Sequence, residues 1–305
     1  MVKKCFYCGS RFTVKNGFRR GKQCYKCQSC GRQFVGGFRI DNESLVSEYI
    51  EGKQTLAQLS CRYGVDKSTI WRRLKTMRPV RVISRHKDVV SNMDTTYWGR
   101  NFGLLVIKDA FRNKILWYKF VRHESVADYV EGVGWLRENG FVIYGIVCDG
   151  IRGLFQALRP YPVQMCQFHQ MMIVRRYLTN NPELPAASEL LELTRGMTRT
   201  NKEQFCLDLD RWHDRWRDFL KERTQNRGGQ RTRYKHQRLR SAYLSLKRNM
   251  PWLWTYQDYP QLHIPNTNNA LEGVFTDIKT KLRVHAGITK ERRTKLIQEY
   301  IARHY

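Results

Sequence analysis

The sequence predicts a multidomain chain: a small cysteine-bearing module, an all-helical module, and then an α/β core interrupted by an all-α stretch. Three observations carry this reading. Two Cys-x-x-Cys-Gly pairs lie near the start, the apolar spacing turns helical after Asp41, and from residue 88 strand-like and helix-like runs alternate. A length of 305 residues leaves room for about two domains and a small extra module, at roughly 150 residues per domain.

Composition narrows the partners. The chain has 55 Lys plus Arg against 27 Asp plus Glu, a formal net charge of +28. Basic side chains that displace counterions from a phosphate backbone provide affinity for nucleic acid without reading sequence. A membrane surface is the rival. The chain holds no apolar run long enough to span a bilayer, and MVKKCFYCGS lacks the apolar core of a secretory signal, so a soluble, intracellular protein is expected. Nine cysteines, several of them in close pairs, fit a reduced compartment and a metal better than disulfides.

Residues 1–38 are expected to form a zinc ribbon. Cys5-x-x-Cys8-Gly9 and Cys27-x-x-Cys30-Gly31 make two similar knuckles around a basic, aromatic-flanked hairpin. The glycine after each pair permits the tight turn that aims backbone N–H groups at sulfur, and four thiolates suit tetrahedral Zn²⁺. Cys24 is a fifth candidate, because it opens an overlapping pair with Cys27.

Residues 39–78 read as a helix-turn-helix. Leu56, Leu59, Val65, Ile70 and Leu74 are spaced to pack two short helices across a turn at Gly64 and Val65. With Asp66 as its N-cap, the second helix would present Lys67, Ser68, Thr69, Arg72 and Arg73 to a major groove, the alternative being a three-helix bundle with a solvated basic face. Residues 79–87 are basic, contain Pro79 and show no period, and read as a linker.

The core is expected over 88–182, with strands in VVSNMDTTYW, FGLLVIKDAF and KILWYKFV, a helix from Ser125 to Asn139, a strand VIYGIVCD, and a fifth strand VQMCQFH. An all-helical stretch, 183–262, follows, its apolar stripe marked by Phe205, Leu209, Trp212, Trp216 and Phe219. These tryptophans read as core rather than as a base-stacking platform. Between Lys221 and Arg248 ten basic residues face the single Glu222, a run that suits phosphate contact or a solvated loop. Residues 263–305 complete the core with helices Ala270–Arg283 and Lys290–His304.

Acids in so basic a chain are informative. Asp94 falls in the first core strand, Asp149 at the C-terminal end of the fourth, where side chains of an open sheet converge, and Glu272 on a late helix. Three such carboxylates can hold two Mg²⁺ ions for phosphoryl transfer. Local readings compete: an Asp149-Gly150 turn, a hydrogen-bonding role for Asp94, and a capping box from Asn269 to Glu272. Asp88 and Asp109 compete for the first position.

Taken together, Asp94 in NMDTTYWG, Asp149 in IVCDG, Cys166-x-x-His169 in QMCQFHQM and Glu272 in NTNNALEG resemble the DDE transposases of the Mutator-like superfamily and related bacterial insertion-sequence enzymes. The resemblance covers most of the chain and implies a ribonuclease-H-like core whose second Asp and Glu are separated by a helical insertion. It implies catalysis by Asp94, Asp149 and Glu272 on two Mg²⁺, with Mn²⁺ as an alternative, Cys166 and His169 being auxiliary. Thr276, Lys279 and Arg283, on the face of Glu272, would approach the bound strand, with His285 and Lys290 extending that basic edge. The function expected is DNA transposition: binding of element ends, metal-dependent cleavage, then 3′-OH attack on target DNA. Double-stranded DNA is the partner, a homodimer or larger assembly the working form, and the nucleoid of a bacterial cytoplasm the location. Two alternatives remain: a non-catalytic DNA-binding regulator and a purely hydrolytic nuclease.

Overall fold

A computed structural model describes residues 4–5, 7–35, 40–76, 83–224, 232–285 and 287–305. Residues 36–38 of the expected ribbon, 79–82 of the expected linker and 225–231 of the basic run lie outside the described residues.

The N-terminal module is a three-stranded antiparallel sheet in the order β1-β2-β3, with β1 Thr13–Arg19, β2 Lys22–Cys27 and β3 Gln33–Val35. Its apolar content is slight. Cys5, Cys27 and Phe34 are buried, with Tyr25 stacked on Phe34 at 5.7 Å between ring centroids. Gly9 and Gly31, at φ 74° and 70°, close the two knuckles, each donating its amide to the carbonyl of the first cysteine of its pair.

Three helices follow: α1 Asn42–Ile50, α2 Leu56–Tyr63 and α3 Lys67–Thr76. Local chemistry sets several of their ends. The Asp41 carboxylate accepts from the Ser44 amide at 2.7 Å, Thr55 and Gln58 form a capping box, and Gly64 takes the left-handed conformation at φ 62° that ends α2. Leu45, Leu59 and Ile70 are wholly buried between the helices.

The core holds a five-stranded sheet in the order β6-β5-β4-β7-β8. The strands are β4 Asp88–Tyr97, β5 Gly103–Asp109, β6 Ile115–Val121, β7 Val142–Cys148 and β8 Val163–Met165. Strands β4, β5 and β6 are antiparallel neighbours, whereas β7 runs parallel to β4 and β8 parallel to β7. This mixed α/β sheet is consistent with the ribonuclease-H-like core that the resemblance implies. Helix α4, Val126–Glu138, packs on β6 and β5, close enough that a Cβ at Gly132 would meet Ile107 Cδ1 at 2.5 Å. Between β7 and β8 lies the short α5, Leu154–Ala157.

The fifth strand is shorter than expected. It stops at Met165, and the chain turns at Cys166 into α6, Gln167–Leu178, so that His169 sits in a first helical turn and not on a strand. Two buried glutamines explain the turn: the side-chain amides of Gln164 and Gln167 both donate to the Leu253 carbonyl at 2.9 Å. An unpaired buried amide is costly, so these residues follow that carbonyl and not the strand period.

The helical stretch comprises α7 Pro185–Arg195, α8 Lys202–Lys221, α9 Gln237–Leu253 and the short α10 Thr255–Asp258. Phe205, Leu209 and Trp212 are buried, with the Trp212 indole donating to the Ala186 carbonyl at 2.9 Å. Within the basic run, Arg223 and Arg240 lie over the Tyr234 ring at 4.2 and 3.6 Å, and Glu222 pairs with Lys235 at 3.1 Å.

The last helices are α11, Asn269–Arg283, and α12, Lys290–His304. The chain divides into two compact units, residues 1–79 with 280–300, and residues 80–279 with 301–305. The end of α11 and most of α12 therefore group with the N-terminal modules, a partition that the apolar period of these helices does not reveal. Lys281 pairs with Glu51 at 2.8 Å, Lys75 with Glu291 at 2.9 Å, and Leu282, Leu296, Ile297 and Tyr300 are buried. No described helix is long and apolar enough to cross a membrane.

Candidate active site and metal centres

The parallel pairing of β4 with β7 sets two carboxylates side by side. Register runs from Val90↔Gly145 to Asn92↔Val147, and two residues further on come Asp94 and Asp149. The register depends on an irregularity. Val89 pairs with Ile143 and Val90 with Gly145, so Tyr144 is an extra residue. Without that bulge Cys148 would lie level with Asp94, and Asp149 would face the other side of the sheet. Gly145, next to the extra residue, leaves room for Ile264, whose Cδ1 a Cβ there would meet at 2.7 Å.

His169 completes the cluster from the first turn of α6. One ligand atom each from Asp94, Asp149 and His169 lie within 4.8 Å of one another. His169 Nδ1 is 2.6 Å from Asp149 Oδ1, and its Nε2 is 3.8 Å from Glu272 Oε1. The imidazole thus stands between two carboxylates that the sequence reading joined directly. Glu272 is a neighbour of the three-residue group and not a member of it.

Electrostatics follow from burial. Asp94 is only 6% exposed, and burial together with the charge of Asp149 raises its carboxyl well above the usual range, while the Thr95 amide donates to Oδ1 at 2.7 Å. For His169 burial works to lower the pKa, but the close Asp149 carboxylate and Cys166 outweigh it, and the ring is pushed up to about 11. Asp149 Oδ1 and His169 Nδ1 are buried close together without an aligned hydrogen bond between them. A buried oxygen in that state, amid like charges, fits a divalent cation and its oxygen-preferring coordination.

The start of α11 is stapled to the cluster. The Asn268 amide donates to Cys166 Sγ at 3.2 Å and its side chain to the Met93 carbonyl at 2.8 Å, next to Asp94. Gln167 and Asn266 exchange two further bonds, Gln167 N to Asn266 O at 2.9 Å and Asn266 Nδ2 to Gln167 Oε1 at 3.2 Å. These bonds account for the Cys-x-x-His spacing: Cys166 fastens the helix that carries Glu272, and His169, one turn on, faces Asp149. A capping box from Asn269 does not form, because the helix begins at Asn269 and the Glu272 amide bonds the Asn268 carbonyl at 3.2 Å.

The competing acids lie elsewhere. Asp109 accepts from the Phe111 and Arg112 amides at 2.9 and 3.2 Å and pairs with Arg112, holding the β5–β6 turn, and Asp88 accepts from the Tyr144 hydroxyl at 3.2 Å. A carboxylate that sequence reasoning missed is Glu124. Its Oε1 accepts from the Tyr129 hydroxyl, which lies 3.1 Å from the Thr95 hydroxyl, and burial raises its pKa, with the charge of Asp149 adding to the effect. In sequence its one signal is an acid just before Ser125, the N-cap of α4, which reads as an ordinary helix start.

In the ribbon, the thiols of Cys5, Cys8, Cys27 and Cys30 converge, with Cys5–Cys30 and Cys8–Cys27 sulfur separations of 3.6 Å. A tetrahedron with Zn–S arms of 2.3 Å has edges of about 3.8 Å, whereas a disulfide needs about 2.05 Å, so the group fits zinc and not a bridge. Burial disfavours the Cys27 thiolate, but the backbone of Cys30, the Cys8 thiol and the backbone of Ser29 stabilise it and bring it down to about 6. Cys24, buried on β2 opposite Val35, lies outside this group.

Of the expected DNA-binding residues, Lys67, Ser68, Arg72, Lys279 and Arg283 are exposed, and Thr69 is half-buried. Arg73 differs, since its guanidinium donates to Asn42 Oδ1 at 3.2 Å and ties α3 to the start of α1. His285 does not extend a basic edge: it is buried, its Nε2 lies 3.1 Å from the Tyr49 carbonyl, and burial lowers its pKa, which keeps the ring neutral. Lys290 is exposed.

No protein-family model and no curated protein matches this sequence. Among solved structures, the Drosophila P element transposase strand transfer complex is similar at 11% identity and a TM-score of 0.45, covering 88% of this chain and 93% of that one. A simian T-cell lymphotropic virus intasome in complex with PP2A regulatory subunit B56 gamma is similar at 13% identity and a TM-score of 0.22, over 62% and 72% of the two chains. At these scores neither likeness bears on the chemistry, which rests on the site itself.

Proposed function

We propose that this chain is a metal-dependent DNA transposase of the DDE type, which binds the ends of a mobile element, cuts there and joins the freed 3′-OH to target DNA. The observation that carries the reading is the level placement of Asp94 and Asp149 on parallel strands, with His169 within 4.8 Å of both, in a chain of net charge +28. Carboxylates gathered at one point repel a polyanionic ligand. Their presence in such a basic protein calls for a cation between acid and phosphate.

Asp94 and Asp149 would hold Mg²⁺ or Mn²⁺, with Glu272 as the third carboxylate and His169 beside it. Bound there, the ions would activate an attacking water or 3′-hydroxyl and stabilise the leaving oxygen. The protein's own part is positioning. The Thr95 amide fixes one oxygen of Asp94, the Asn268 staple keeps α11 at the cluster, and the His169 proton offsets the charge between Asp149 and Glu272. Lys67, Ser68, Thr69 and Arg72 on α3, with Lys279 and Arg283 on α11, are assigned to DNA, Arg73 to holding α3 against α1, and Cys5, Cys8, Cys27 and Cys30 to a structural Zn²⁺. Two element ends must be held at once, so a dimer or larger assembly in the bacterial nucleoid follows from this reading.

The test is incubation of the protein and Mg²⁺ with labelled duplex carrying the DNA that flanks its gene. Joined strands are expected. Cut but unjoined strands would favour a hydrolytic nuclease, and a gel shift alone a regulator. Asp149→Asn should abolish cutting and joining while leaving the shift, and wild-type joining by this variant would overturn the assignment.

A further inference from the structure

The tip of the β1–β2 hairpin combines three features that a zinc module needs neither for folding nor for metal binding. Phe18 is 75% exposed, giving up most of the roughly 1.5–3 kcal/mol that burying such a ring contributes. The two-residue turn, Arg20-Gly21, has φ of 52° and 71°, the double positive φ of a type I′ hairpin, in which Asn, Asp or Gly is the unstrained choice at the first position. An arginine there is chosen at the expense of local stability. Finally, Arg19, Arg20 and Lys22 follow Phe18 around the turn, and residues 1–40 contain no Asp or Glu.

A bulge between Lys15 and Phe18 fixes the direction of the ring. It shifts the register so that Phe18 pairs with Gln23 and Arg19 with Lys22. Bulges re-aim side chains and increase local twist. The tip therefore presents one exposed apolar ring, with basic residues next to it in sequence, at a tight turn. A single ring buries too little apolar area to anchor on a lipid surface. Duplex DNA offers both complements, a polyanionic rim and stacked faces that part at flexible steps.

We propose that this hairpin tip enters the minor groove of DNA, with Phe18 wedged between two base pairs and Arg19, Arg20 and Lys22 against the flanking phosphates, so that the ribbon bends the duplex it binds. The proposal rests on the DNA reading above and adds deformation to it, and sites with a pyrimidine–purine step such as TA, the least costly to unstack, are favoured.

The experiment uses the full-length, zinc-loaded protein and a short duplex with one central TA step and a dye at each end. On binding, energy transfer should rise as the duplex bends by roughly 20–90°. Phe18→Ala should bind about tenfold more weakly, as expected for the loss of one stacked ring, and leave the duplex straight. Arg20→Asn should raise the thermal stability of the ribbon, because the turn is relieved, yet weaken binding and reduce the salt slope by about 0.9. An unchanged cobalt-substituted thiolate spectrum verifies the fold of both variants. A Phe18→Ala complex bent like wild type, or an Arg20→Asn protein that binds as tightly with the same salt slope, would overturn the proposal. So would adsorption to phosphatidylserine vesicles that is lost in Phe18→Ala while DNA bending is unchanged. Binding without bending defeats the wedge alone, whereas no binding to any duplex defeats the DNA reading itself.

Discussion

At the scale of single residues, Asp94 carries the largest electrostatic burden. Burial and Asp149 hold its carboxyl well above the ordinary range, so between about pH 3.9 and its folded pKa the native state binds more protons than the unfolded chain. Stability of the metal-free protein therefore declines as pH rises through that window. Asp94→Asn removes the effect, and its melting temperature in chelator at pH 7.5 should exceed that of wild type. Divalent metal reverses the order. At about a hundred times its Kd a bound ion stabilises wild type by about 2.7 kcal/mol, and the variant should show no such rise in differential scanning calorimetry with Mg²⁺ or Mn²⁺. If metal raised the melting temperature of Asp94→Asn as much as that of wild type, Asp94 would not be a ligand. Glu124 adds a further charge to this corner. Its one mark in the sequence, an acid just before the Ser125 N-cap, reads as an ordinary helix start, and the Tyr129 hydroxyl that binds it is brought beside Thr95 on β4 only in the folded chain.

At the scale of elements, the boundary of α12, Lys290–His304, is legible in the sequence, and that of α11 lies within one residue of its apolar period. The length of β8 is not legible, since the Leu253 carbonyl that draws Gln164 and Gln167 out of the strand pattern lies far along the chain. Nor is the extra residue at Tyr144, which shows only in the pairing of β7 with β4. Asp149 could be named from its position at a strand end, but its alignment with Asp94 follows from that bulge. The end of α11 gives a pH test. His285 is buried beside Tyr49, with ring centroids 4.4 Å apart, and its folded pKa lies below the ordinary value of about 6.5. A depressed histidine pKa leaves stability intact above pH 6.5 and erodes it as pH falls below, by at most about 1.4 kcal/mol per pH unit. Amide exchange in α1, corrected for intrinsic rates, should accelerate between pH 7.5 and 5.5, and His285→Gln should flatten that dependence. Equal acceleration in both proteins would show that another group titrates.

For the whole molecule, two metal chemistries occur in one chain: four soft thiols near the start and hard carboxylates in the core. Among its described residues the ribbon buries little beyond Cys5, Cys24, Cys27 and Phe34, so on the zinc reading its fold would depend on the ion, whose binding contributes on the order of 10–16 kcal/mol in comparable zinc modules. A thiol-selective zinc chelator should unfold residues 13–35, as read by hydrogen exchange, reduce DNA affinity, and leave protection of β4 and β5 unchanged. Loss of protection in β4 would mean that the sheet, too, relies on zinc.

The positions of the acids along the chain have a consequence for synthesis. The ribbon sheet closes through contacts among the chain's first residues, whereas the compact unit of the three helices after it also takes in residues 280–300, and the cluster needs Asp94, Asp149, His169 and Asn268. Because local contacts form early and distant ones late, a chain emerging from the ribosome can close its ribbon long before either the helical unit or the acidic cluster is complete. A product truncated ahead of Asn268 would leave both unfinished, so the fold ties the completion of its two units to the last residues made.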